Sequence, residues 1–196
     1  MVGEDDQITM KNNYIYRTAG RSPALSGNTL LHAVNNVWED NNGHAIEGGS
    51  DKARGIFEGN AFINVRQLVA DYAGRLFTTP NSGSAADCEL AFGRACEVNL
   101  LEESKGDWEF ADTSFFSEYS EYEIASAVSA EEAKKSVPAN AGAGKIDTSG
   151  SSNDASQSQT AEPSGVSEAA DAQPAAVEKT ADSEEKPKPR KSACKA

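Results

Sequence analysis

The chain has 196 residues and a formal net charge of −13, with 7% aromatic and 25% charged residues. Acidity of this size argues against nucleic acid as a partner, because phosphate binding needs clustered Lys and Arg, and it suits a neutral glycan better than a polyanionic one. No apolar run approaches the roughly 18 residues of a membrane span, so no membrane partner is expected.

The opening Met1-Val-Gly-Glu-Asp-Asp has neither the basic start nor the apolar core of a signal peptide. The chain reads as beginning in the middle of a fold, with any signal carried by an upstream portion. Three segments then share one pattern: Ile8-Thr-Met-Lys-Asn-Asn-Tyr-Ile-Tyr, Leu31-His-Ala-Val-Asn-Asn-Val-Trp and Gly55-Ile-Phe-Glu-Gly-Asn-Ala-Phe-Ile. Aligned on Asn13, Asn36 and Asn60, each has an apolar residue three places earlier (Met10, Ala33, Phe57) and two places later (Ile15, Trp38, Phe62). A period in the low twenties with alternating apolar positions is what one coil of a β-solenoid requires, because each coil hides its inward side chains only against its neighbours. The shared asparagine predicts a ladder of side-chain amides stacked about 4.8 Å apart. On periodicity alone, three half-buried antiparallel strands with ordinary turn asparagines remain the alternative.

Between the first two segments lies Ala19-Gly-Arg-Ser-Pro-Ala-Leu-Ser-Gly-Asn, a Gly/Ser/Pro-rich turn holding Arg21 ahead of an apolar strand. A rigid scaffold presents functional side chains from turns of this kind, which makes Arg21 the catalytic candidate. Arg17, four residues earlier, is the neighbouring cation and reads either as part of a substrate site or as a surface residue. His32 lies in a strand and reads as packed or hydrogen-bonded. His44 sits in Asn-Gly-His-Ala, a loop from which it reaches substrate or is simply solvated. Asp40, Glu47 and Asp51 are dispersed acids without metal-ligand spacing, so neither a metal nor any other cofactor is expected.

Further along, Val65-Arg-Gln-Leu-Val-Ala and Arg75-Leu-Phe-Thr-Thr-Pro read as the last strands, and Pro80-Asn-Ser-Gly as the exit turn. Cys88 and Cys96 flank seven residues, a spacing suited to a small disulfide loop. From Asp87 to Asn140 the best helical signal is Ser129-Ala-Glu-Glu, which has capping-box form. Trp108, Phe110, Phe115, Phe116, Tyr119 and Tyr122 are expected to cover apolar surface, with a sugar-stacking surface as the alternative. From Asp147 to Ala196 aromatic residues are absent and Ser, Ala, Glu, Pro, Thr and Lys dominate; this tail is expected to be disordered. It ends in a basic cluster around Cys194, read as solvated. The division is therefore a folded part over 1–146 and a low-complexity tail over 147–196.

The stretch Ala19 to Asn36, with Ile8 to Tyr16 before it and Trp38 to Glu47 after it, closely resembles the C-terminal part of the pectin lyases of the pectate lyase superfamily. The resemblance covers roughly the first three quarters of the chain and only the later coils of such an enzyme. It implies an all-β, right-handed parallel β-helix, a segment that folds back along the coils, and a disulfide at Cys88 and Cys96. It further implies a secreted, extracellular enzyme that is a monomer at full length, acts on methyl-esterified pectin by β-elimination, and needs no cofactor. By alignment on Gly-Arg-x-Pro the catalytic arginine falls on Arg21. Pectate lyases resemble Arg-x-Pro-Arg-x-Arg at this place, whereas this chain has Arg21-Ser-Pro-Ala-Leu-Ser, which favours the ester over the free acid. Pectin lyases often carry a basic residue where Ala24 stands. An arginine base is demanding in general, since holding a guanidinium neutral near pH 8 costs roughly 6 kcal/mol; a cation beside the ester carbonyl is the second role. The competing readings are a non-catalytic β-solenoid fragment that binds glycan or serves a structural role, and a pectate lyase. The chain alone is expected to show reduced or no activity.

Overall fold

The computed structural model describes residues 3–48 and 50–145. The tail predicted from Asp147 to Ala196, with Cys194, lies outside them.

The strands wind as a β-solenoid of about three coils. Each coil gives one strand to each of three parallel sheets. The first sheet holds β1 (Gln7–Lys11), β4 (Leu30–Val34), β7 (Arg54–Glu58) and β10 (Arg75–Thr78), in that order. The second holds β2 (Tyr14–Tyr16), β5 (Val37–Glu39), β8 (Ala61–Ile63) and β11 (Leu100–Glu102). The third is smaller, with β3 (Ala24–Leu25), β6 (His44–Gly48) and β9 (Gln67–Ala70). Every strand pair is parallel, which removes the antiparallel alternative.

The register is the one the repeat predicts. Met10 pairs with Ala33 and Ala33 with Phe57, while Ile15 pairs with Trp38 and Trp38 with Phe62. Stacked identical positions let the rings of Trp38 and Phe62 lie nearly parallel, with centroids 4.7 Å apart. Trp38, Phe57 and Phe62 join Leu31, Ala33, Leu68 and Trp108 in one core inside the coils.

At the bend between the first two sheets the asparagines form a ladder. Asn13 Nδ2 donates to Asn36 Oδ1 at 2.8 Å, Asn36 Nδ2 to Asn60 Oδ1 at 3.1 Å, and Asn60 Nδ2 to Asn99 Oδ1 at 3.1 Å. Each acceptor also takes the backbone N–H of the asparagine one coil back. The chain reaches the first three rungs through a left-handed residue, Asn12, Asn35 or Gly59, a conformation for which asparagine and glycine are suited.

Asn99 is the rung that the repeat does not reveal, and it overturns the reading of Arg75–Pro80 as the end of the coils. Pro80-Asn-Ser-Gly is not an exit turn. Asn81 caps α1 (Ser82–Asp87), its side chain accepting from Gly83 N and Ser84 N, and α2 (Glu89–Phe92) follows. The two helices are an insertion in the bend, after which Asn99 rejoins the ladder and β11 pairs with β8. Cys88 and Cys96 close this insertion as a disulfide, both buried.

The remaining chain wraps the solenoid. β4 and β7 are buried along their whole length because both faces are covered. Their outward Leu30 and Ile56 pack under Cys88, Cys96, Phe115, Phe116 and Tyr119. Tyr119 donates its hydroxyl to the carbonyl of Leu31 at 2.6 Å. Helix α3 (Ala130–Asn140) starts at Ser129, whose Oγ accepts from Glu132 N, and lays Ala133 and Val137 on Val37 and Ala61 of the second sheet. The aromatics therefore serve packing. Tyr122 is the exposed exception. No helix among the described residues is long and apolar enough to cross a membrane.

Candidate active site

The turn that carries Arg21 is stapled to the matching turn of the next coil. Asn42 N donates to Thr18 O at 2.9 Å, His44 N to Gly20 O at 3.0 Å, and Ser22 N to His44 O at 3.1 Å. Trp38 Nε1, whose ring lies in the core, donates to Ser22 O at 2.6 Å. Thr18 Oγ1 meets Ser22 Oγ at 2.8 Å and also accepts from Asn41 Nδ2. The backbone on both sides of Arg21 is thereby fixed to buried parts of the fold. Its side chain is left 55% exposed.

Glu47 lies beside it. Arg21 Nε is 2.6 Å from Glu47 Oε1, and His44 Nδ1 is 2.9 Å from Glu47 Oε2. A carboxylate can only accept, so His44 donates the proton on its Nδ1 to Glu47. The hydrogen bond from His44 holds the Glu47 carboxyl below the usual carboxylate range; partial burial works against it, and Arg21 adds to the lowering. The three side chains, with Ala19, Gly20 and Gly43, line an open depression of about 420 Å³.

This geometry corrects two readings of the sequence. Glu47 is not a dispersed acid, because the third-sheet register brings it over the Arg21 turn. His44 is not a free loop histidine, since it begins β6 and is tied to Glu47. Arg17 lies elsewhere: it pairs with Asp40 of the next coil at 3.5 Å and rests over the Tyr16 ring at 4.7 Å. His32 is buried and bonded to Glu58 at 2.8 Å, as its strand position predicts. Among the described residues no group of three His, Cys, Asp or Glu side chains has the arrangement of a metal site.

No protein-family model matches the chain. Over 146 residues, 74% of this chain, it is 67% identical to a probable pectin lyase A of Aspergillus flavus and to a probable pectin lyase C of Aspergillus oryzae. It is also 48% identical over 143 residues to a probable pectin lyase E of Aspergillus niger. Over these residues the chain belongs to the pectin lyase family. It spans about two fifths of the length of these relatives, 39% for the first two and 38% for the third. The signal for the Glu47 contact was present in the sequence but could not be read as a distance. Glu47 follows Arg21 by slightly more than one coil, and the pairings of Arg21 with His44 and of Ala24 with Glu47 fix which side chains of the third sheet lie side by side.

Proposed function

We propose that the chain carries the Arg21 site of a pectin lyase that cleaves 1,4-linked, methyl-esterified galacturonan by β-elimination. The observation that carries this reading is Arg21 itself, fixed on its turn against the next coil in a chain 67% identical to named pectin lyases. In the reaction a base removes the C5 proton, the C5–H electrons become the C4–C5 double bond, and the bond from C4 to the bridging oxygen breaks. That oxygen departs with the electron pair and takes up a proton. Negative charge accumulates on the ester carbonyl oxygen while C5 is being deprotonated.

The resemblance implies Arg21 as the group at C5. The contact with Glu47, 2.6 Å from Arg21 Nε, is an ion pair and supports the second role, that of a cation. A cation fixed beside the ester carbonyl lowers the energy of the enolate-like charge without any reorganisation at the moment of reaction. The ester is also the chemically easier substrate, since a neutral ester acidifies the C5 proton more than a carboxylate does. His44 and Arg17 belong to the proposal as residues that contact the glycan. The buried Cys88–Cys96 disulfide supports an extracellular location, where oxidising conditions keep such bonds intact.

The test is formation of the unsaturated product, followed by ultraviolet absorbance, on highly methylated pectin and on polygalacturonate with and without calcium. Placed in a complete enzyme, Arg21→Lys is expected to keep the fold and to lower elimination by orders of magnitude, since lysine keeps the charge but loses the planar fork. Unchanged turnover in Arg21→Lys removes Arg21 from the mechanism. Calcium-dependent activity on polygalacturonate selects the pectate lyase reading instead.

A further inference from the structure

Arg21 is the one Arg or Lys side chain lining the depression, and Glu47 already pairs with it. Glu47 gives one carboxylate oxygen to Arg21 Nε and the other to His44 Nδ1, so it is held from two sides, with only 19% of its side chain exposed. Ala24, in register with Glu47 in the neighbouring coil, adds no compensating charge to that face. The next cation along the chain, Arg17, is paired with Asp40. A ligand entering this depression therefore meets a fixed carboxylate and a guanidinium whose charge is spent on it.

We propose that Glu47 is a specificity-determining residue, which makes the Arg21 site reject galacturonan units with a free carboxylate and admit those whose carboxyl is a neutral ester. An incoming carboxylate would have to share Arg21 with Glu47, placing two like charges on one guanidinium in a partly desolvated site, or displace Glu47 and break its bond to His44 as well. A methyl ester brings no charge. Its carbonyl can accept from the guanidinium amino groups that Glu47 does not use while the Nε contact stays in place. Exclusion of the acid thus comes from a like-charge element placed in the site, and not from any extra contact with the ester.

This inference rests on the galacturonan reading above. Its test uses the full chain, with Glu47→Gln and Glu47→Asp, titrated calorimetrically with galacturonan oligosaccharides that are either fully methyl-esterified or entirely free acid, at low and at raised salt. The quantity read is the ratio of the two dissociation constants. Removing one unit charge a few ångströms from the ligand carboxylate is expected to shift that ratio about tenfold toward the acid in Glu47→Gln at low salt, with the shift shrinking at raised salt. Glu47→Asp keeps the charge and is expected to keep the wild-type preference. An unchanged ratio in Glu47→Gln, or the same shift in both variants, overturns the inference while leaving the galacturonan reading standing. Binding of neither oligosaccharide by the wild-type chain or by Glu47→Gln overturns the galacturonan reading and this inference with it.

Discussion

The guanidinium of Arg94 reaches Glu58 with both amino groups, Nη2 to Oε1 at 2.7 Å and Nη1 to Oε2 at 2.9 Å, although Glu58 sits in β7 with no exposed surface. His32 Nε2 and Glu97 N complete the set of donors. Burial pushes the Glu58 carboxyl up, but the bonds from Arg94, His32 and Glu97 outweigh it and hold the group below the ordinary carboxylate value. The disulfide loop is thus bolted to the solenoid through a buried carboxylate, with Arg94 as its one Arg or Lys partner among the described residues.

Removing Arg94 takes the guanidinium partner away from that buried carboxylate. Arg94→Ala is expected to cost about 3 kcal/mol, the low end for a broken buried pair because a third of the Arg94 side chain is exposed. The pH dependence follows from the lowered value. The stabilisation from Glu58 is fully present above its unfolded value of 4.5 and is lost as pH falls through the lower folded value. Thermal melts of wild type and Arg94→Ala should therefore converge in acid. A constant difference between them at every pH would contradict this account.

The ladder predicts a graded series. Asn60 is buried and serves both neighbours, accepting from Asn36 N and Nδ2 and donating to Ala33 O and Asn99 Oδ1. Asn60→Ala leaves several buried backbone and amide groups unpaired, at about 1 to 3 kcal/mol each before relaxation, so a loss near the upper figure is expected. Asn13 is exposed, lies at the end of the ladder, and accepts no bond from another rung. Asn13→Ala should cost less than about 1 kcal/mol. Urea unfolding of the two variants measures the contrast.

The Cys88–Cys96 bond closes an eight-residue separation, for which the chain-entropy account gives about 2.5 kcal/mol. Cys88→Ser with Cys96→Ser is expected to lose at least that much, since Arg94 lies inside the loop and its hold on Glu58 loosens with it. If the loop and the ion pair act as a unit, Arg94→Ala will cost less in the double serine background than in wild type.

Much of the solenoid was legible in the sequence because its repeat is local. Asn13, Asn36 and Asn60 recur at nearly constant spacing, and fixing one register fixes every inward position beside it. Asn99 escaped because the α1–α2 insertion separates it from Asn60 by 39 residues, which breaks the period while leaving the geometry intact. The turn that carries Arg21 was legible, but the partner of its side chain was not. The contact with Glu47 depends on where the short third sheet places two side chains from adjacent coils, and no periodic pattern in β3 and β6 states that register. Glu58 was hidden for a related reason: its counter-ion comes from a loop 36 residues away.

The last prediction concerns Gly43, which is required by space and not by backbone angle. A Cβ at Gly43 would stand 2.0 Å from Gly20 O and 2.7 Å from Gly20 N, so Gly43→Ala has to push the Arg21 turn off the next coil. A Cβ at Gly20 meets nothing within 4 Å, which makes Gly20→Ala the matched control for an added methyl group in the same place. Gly43→Ala is expected to lose hydrogen-exchange protection at the Asn42 and His44 amides, whose acceptors are Thr18 O and Gly20 O, while Gly20→Ala keeps it. The clash falls on turn backbone and not on a core side chain, so the melting temperature of Gly43→Ala should fall by only a few degrees. With the change placed in a complete enzyme, elimination on methylated pectin should fall about a hundredfold, because a displacement near 1 Å of a charged group is enough for a loss of that size. If protection at Asn42 and His44 disappears while cleavage stays at the wild-type rate, the anchoring of the Arg21 turn to the next coil does not matter for function, and Arg21 acts from a mobile segment.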